Sequence, residues 1–217
     1  MRKIIAGWLA GIWLCLLLVR LPVQAANLAE PIQAQAYVLM EQESGTVLAE
    51  EQADVPLPMG MMAKLMTVLL AAEQLESGAW TLETVLTASD VVNTCEGATV
   101  WLTAGETMTV SDLLKAVIIG NANDAAAVLA EGVSGSVPAF VMEMNARAFD
   151  LGMHQTIFTN PQGYDDEKQC TTARDLAKLC RRLAEYETLK PYLQTWRDFL
   201  RGEATKLVNE NTFSRTY

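Results

Sequence analysis

Apolar side chains recur at positions 61, 65, 68, 69 and 72 of the stretch 60–75, the repeat of a helix that turns one face to a core. What surrounds that helix is mostly more helix, bracketed by strands. Ahead of it, the β-prone runs 36–40 and 46–49 are joined by Gln42-Glu-Ser-Gly45, where Gly45 supplies the turn, so a β-hairpin opens the domain. Behind it, 106–110 is predicted as a short strand, and Thr109-x-x-Asp112 has the shape of a helix start before the apolar run 113–119. Asn121-Ala-Asn-Asp124 interrupts, and a second helix is expected over 125–131 with Gly132 as its C-cap. Ser136 caps the next, over 137–151, which Gly152 stops. Pro161-Gln-Gly163 reads as a turn into the acidic loop 165–167. Thr172-x-x-Asp175 starts a helix to about 186, 189–200 reads as helical, and 206–213 begins a returning strand that is not completed by Tyr217.

Residues 1–25 read as an export signal, with Arg2 and Lys3, an apolar core over 4–19, and Val23-Gln-Ala25 at the small-x-small cleavage spacing. Left uncleaved, the same segment is the chain's one expected membrane contact. Residues 26–217 then form one exported, extracytoplasmic domain, in the periplasm or cell wall, long enough to bury a core. This part carries 13 basic and 26 acidic residues, and 13 minus 26 gives −13. The basic footprint of a nucleic-acid binder is absent, so no nucleic-acid partner is expected.

Cys95, Cys170 and Cys180 contain no Cys-x-x-Cys pair and read as small buried side chains in preference to one disulfide with a thiol left over. His154, the single histidine of the chain, lies in a turn-like stretch and reads as a surface residue rather than a catalytic base. No metal or cofactor is implied.

Short matches follow one another in a recognisable order: the hairpin ending in Thr46-Val-Leu, Lys64-Leu-Met-Thr67, Val100-Trp-Leu with Gly105-Glu106, Asn123-Asp124-Ala-Ala, Phe158-Thr-Asn-Pro-Gln-Gly163, and Asn209-Glu-Asn211. Over about residues 35–215 the chain resembles the serine-type D-alanyl-D-alanine carboxypeptidases, the low-molecular-weight penicillin-binding proteins. The resemblance implies an α/β fold of the β-lactamase/transpeptidase-like kind: an antiparallel sheet with a mostly helical insertion, its C-terminal strands missing here. It also implies a peptidoglycan stem peptide, or another cell-wall protein, as the partner.

The superfamily's signature is Ser-x-x-Lys, a Ser-x-Asn type element and Lys-Thr-Gly. Serine and lysine three apart share a helical face, where a desolvated lysine can accept the serine proton. In this chain the serine position is Met61, whose thioether cannot form an acyl ester, and Lys64 stands as the remnant general base. The relay-serine position is Asn121, which cannot pass a proton as a hydroxyl does, and Asn123 matches the substrate-orienting amide. Lys-Thr-Gly appears nowhere in the 217 residues. Loss of the nucleophile alone costs on the order of a million-fold in a serine hydrolase, so the expectation is a chain with no useful carboxypeptidase turnover, the alternatives being a non-catalytic cell-wall peptide or protein binding module or a truncated gene product. Thr67 reads as a core threonine and Ser44 as a turn former, neither as a substitute nucleophile. Met59, Met61, Met62 and Met66 read as packing, with Met61 filling space beside Lys64.

Overall fold

A computed structural model describes residues 32–211 and Arg215. The export signal expected over 1–25 lies outside the described residues. The helix foreseen from the apolar recurrence forms as α1 (Ala63–Glu76), entered through one 3-10 turn over Gly60–Met62. Its burial differs from the single face expected: Ala63, Met66, Leu69, Ala71 and Ala72 have no exposed surface, and Lys64, Thr67, Val68 and Leu70 are buried too. A helix that is apolar all round belongs inside the core, and α1 is that central helix. Its two ends are open to solvent, Met61 in the entry turn being 56 % exposed and Glu76 exposed at the last turn.

The opening hairpin pairs β1 (Tyr37–Met40) with β2 (Val47–Glu51), from Tyr37 opposite Glu51 to Leu39 opposite Ala49, after which the register shifts to put Met40 opposite Val47. Gly45 sits at φ +71° in the connecting turn, a conformation glycine adopts without a Cβ penalty. The Glu41 carboxylate accepts hydrogen bonds from the Ser44 hydroxyl and from the amides of Glu43 and Ser44, and these hold its pKa down to about 2. Ser44 is thus a turn former, as expected.

The remaining strands are short and antiparallel: β3 (Leu57–Pro58), β4 (Val85–Thr87), β5 (Thr107–Thr109), β6 (Cys170–Thr171), β7 (Arg197–Leu200) and β8 (Thr205–Val208). With the hairpin they make four two-stranded ladders, β1 with β2, β3 with β6, β4 with β5 and β7 with β8. Between them lies the helical block α2 (Val110–Ile118), α3 (Asn123–Ser134), α4 (Val137–Asp150), α5 (Ala173–Leu183) and the short α6 (Lys190–Gln194). The three helix starts read from sequence are all built by side-chain caps. Thr109 accepts from the Asp112 amide, Ser136 from Ala139 and Thr172 from Asp175, each cap worth about 1 kcal/mol.

Three local expectations are corrected. Gly132 does not cap its helix: α3 runs on to Ser134 and ends at Gly135, φ +75°. A Cβ on Gly132 would stand 2.7 Å from Leu86 Cδ1 and 3.2 Å from Trp80, so this glycine serves the close approach of β4 to the helix. The stretch 189–200 is not one helix. The Thr195 hydroxyl bonds back to the Pro191 carbonyl where α6 ends, and the chain turns into β7, whose Leu200 and the Leu207 of β8 are both buried. The returning strand expected from 206 is therefore β8, paired with β7 from Arg197 opposite Val208 to Leu200 opposite Thr205. Finally, the three cysteines are free thiols, but none is fully buried: Cys95 and Cys170 are half-buried and Cys180 is exposed.

Candidate functional site

Two polar side chains one turn apart on the buried helix α1 fix the geometry of the site. Lys64 Nζ donates to the Gln162 carbonyl at 2.7 Å, and Thr67 Oγ1 donates to the Pro161 carbonyl at 3.0 Å. A 6 % exposed lysine and a fully buried threonine thus satisfy consecutive carbonyls of one turn. The turn is itself closed on all sides. Asn160 Oδ1 accepts from the amides of Gly163 and Tyr164, and Gln169 Oε1 accepts from those of Thr159 and Asn160. Gly163, at φ +88°, lies so near the helix entry that a Cβ there would sit 2.1 Å from the Gly60 carbonyl oxygen. Thr67 is a backbone-bonded core threonine, as read from sequence.

Burial, with no carboxylate ion-paired to Lys64 among the described residues, lowers the pKa of its ammonium from 10.5 to about 8. The amine faces a cavity of about 310 Å³ that Met61 and Asn121 also line. Asn121 sits between α2 and α3 at φ +53°, a left-handed conformation that asparagine tolerates, and its Nδ2 lies 3.5 Å from the Met61 sulfur. Thioether sulfur is a weak acceptor, so this contact positions the amide loosely. The cavity walls are apolar, from α1 (Leu65, Val68), the end of α2 (Val117) and the facing Leu183 and Leu193, while Asn209 and Asn211 come from the segment after β8. Among the described residues lining it there is no serine, threonine, cysteine, tyrosine or histidine.

The sequence therefore brings Met61, Lys64 and Asn121 to one place. Asn123 is in another position: its Nδ2 donates to the Glu96 carbonyl at 2.6 Å, its Oδ1 is buried without a hydrogen-bond partner, and it does not line the cavity. The packing expected of the four methionines holds for Met59 and Met66, which are buried, and is corrected for Met61 and Met62, which are exposed. A side chain at the entry turn has neighbours on one side only, so Met61 overhangs the cavity instead of filling it. His154 is exposed and packs edge-on against Phe149, ring centroids 5.3 Å apart.

One residue that organises the site was not singled out from sequence. The buried Asp124, in the first turn of α3, accepts from the amides of Val100, Leu102 and Ala125 and so pins the 100–102 loop to the helix N-terminus. An acid in the first helical turn after Asn123 was the available signal.

Comparison with known proteins gives the family and the fold. A family model described as D-alanyl-D-alanine carboxypeptidase (peptidase S11) matches residues 23–216. The D-alanyl-D-alanine carboxypeptidase DacF of Bacillus subtilis is 35% identical over 188 residues, which are 85% of this chain and 48% of that protein. DacC of Escherichia coli is 37% identical over 157 residues, 70% of this chain and 39% of that protein. Among solved structures, penicillin binding protein 5 from Haemophilus influenzae superposes with a TM-score of 0.81 at 28% identity, over 87% of this chain and 56% of that one. The fold is penicillin-binding, transpeptidase-like, and the chain spans about half the length of the curated relatives it matches.

Proposed function

The chain belongs to the D-alanyl-D-alanine carboxypeptidase family, and we propose that within it this polypeptide is an exported member without acyl-transfer chemistry. In this reading residues 1–25 direct export and residues 26–217 form the carboxypeptidase-like domain outside the cytoplasm. The observation that carries the proposal is the composition of the cavity beside Lys64: a remnant base with a thioether at the nucleophile position and no hydroxyl or thiol among the described lining residues. An acyl-enzyme needs an oxygen or sulfur that can lose a proton and bond to carbon, and Met61 offers neither. Asn121, at the relay position, cannot pass a proton onward. No Lys-Thr-Gly occurs within these 217 residues.

What the site can still do is bind. Its relatives are carboxypeptidases of the D-alanyl-D-alanine end, so the partner proposed is a cell-wall stem peptide held without turnover, with another wall protein as the second reading. Incubation with a fluorescent penicillin, followed by denaturing electrophoresis and peptide mapping, is expected to leave the chain unlabelled. Release of D-alanine from a D-Ala-D-Ala peptide is expected to stay at the blank rate. The Met61→Ser variant is expected to remain unlabelled as well, because Asn121 at the relay position still cannot pass a proton onward. A penicilloyl adduct on any side chain of the unaltered protein overturns the proposal.

A further inference from the structure

We propose that the cavity beside α1 is an amine-reactive site, which takes a small apolar aldehyde and condenses it with Lys64 to an imine. About 310 Å³, open on one side to solvent, is lined mainly by Leu65, Val68, Val117, Ile119, Leu183 and Leu193, so an alkyl or aryl group entering it moves from water onto hydrocarbon. The polar lining is confined to Lys64, Asn121, Asn209, Glu210 and Asn211. Glu210 is exposed at the rim and makes no ion pair with the lysine. An apolar pocket with one amine and no paired carboxylate is the environment in which a lysine becomes a nucleophile toward carbonyl carbon.

The acid–base state favours the same chemistry. With its ammonium titrating at about 8, Lys64 is about one-quarter free amine at pH 7.5, against about one part in a thousand for a lysine at 10.5. In the step proposed, the Nζ lone pair bonds to the aldehyde carbon and the carbonyl π pair moves to oxygen. Both protons of the neutral amine end on that oxygen, which leaves as water, and the C=N bond forms. No oxidant, reductant or further reactant is needed. The Gln162 carbonyl, 2.7 Å from Nζ, holds the amine in place before attack. The proposal does not rest on the loss of carboxypeptidase chemistry and is tested by a different readout.

The purified chain is treated with hexanal and sodium cyanoborohydride at pH 7.5, which reduces any imine to a stable secondary amine, and the labelled lysines are mapped by mass spectrometry. Lys64 is expected to react at least tenfold faster than the exposed Lys190 and Lys206. Glyoxylate, an aldehyde of similar reactivity but charged, is expected to show no such preference. Val117→Trp, which fills the cavity without touching the amine's partners, is expected to slow Lys64 at least fivefold and leave Lys190 unchanged. Equal rates at Lys64 and Lys190 overturn the proposal, as does a preference that persists with glyoxylate. The glyoxylate comparison uses the unaltered protein and decides the matter even if the tryptophan variant does not fold.

Discussion

Replacing Lys64 by methionine converts the burial of one ammonium into a measurable pH dependence of stability. The folded-state pKa of about 8 lies some 2.5 units below 10.5, and at 1.36 kcal/mol per unit burial of the charge costs about 3 kcal/mol. Below pH 8 both folded and unfolded chains carry the proton, and that cost is present in full. Between about pH 8 and 10.5 the folded chain is neutral at this site while the unfolded chain still binds a proton, so stability rises by about 1.4 kcal/mol per pH unit. Above 10.5 neither state is protonated and the cost is gone. Lys64→Met removes this dependence but leaves the Gln162 carbonyl without its donor, a loss of about 1–3 kcal/mol at every pH. The variant is therefore expected to equal or exceed the unaltered protein at pH 7 and to be less stable than it at pH 10.5. Burial raises the pKa of Cys95, Tyr164 and Tyr186, acids that lower stability as pH rises, but they are common to both proteins and cancel in the comparison. Urea unfolding of both proteins at pH 7 and 10.5 measures the gap. It should move by about 3 kcal/mol in favour of the unaltered chain, and a movement under about 1 kcal/mol would refute the argument.

Two further substitutions test the scaffold of the site. Asp124→Ala strips the acceptor from three amides, of which those of Val100 and Leu102 have no other bond drawn from the helix, and is expected to cost about 3–5 kcal/mol in urea unfolding; a loss under about 1 kcal/mol means the loop re-satisfies its amides elsewhere. Gly163→Ala places a methyl group 2.1 Å from the Gly60 oxygen at a left-handed φ, and is expected to cost at least about 2 kcal/mol and to speed hydrogen exchange of the 160–164 amides, whereas unchanged exchange would show that the turn shifts freely.

What was legible in the sequence was local. The hairpin turn at Gly45 and the caps Thr109, Ser136 and Thr172 each need only residues within three positions, and each formed as read. What failed depended on distant partners. Gly132 and Gly135 look alike in sequence, and only the arrival of Leu86 and Trp80 from elsewhere in the chain makes the first a packing glycine and the second the cap. The 189–200 stretch carries enough apolar residues for a helix, yet Leu200 is buried opposite a neighbouring strand through pairing that no local pattern announces. The site divides in the same way. Met61 and Lys64 stand three apart across the start of α1, as their spacing predicted, whereas the meeting with Asn121 was an expectation of the family resemblance. The direction of the Asn123 amide is set by the Glu96 carbonyl, 27 positions away, and was not readable.

The presence of Lys64 without a serine beside it has an architectural explanation that does not invoke catalysis. Pro161 and Gln162 offer two consecutive carbonyls to the interior, and each would cost about 1–3 kcal/mol if left unpaired. α1 meets both with donors on the same face, Thr67 for the first and Lys64 for the second, and Gly163 then allows the turn to press against Gly60. Any neutral apolar side chain at position 64 would spare the charge burial but orphan a carbonyl in the core. At neutral pH the two effects are of similar size and opposite sign. A lysine in this position is consequently close to neutral for folding, its amine buried and bonded to the Gln162 carbonyl.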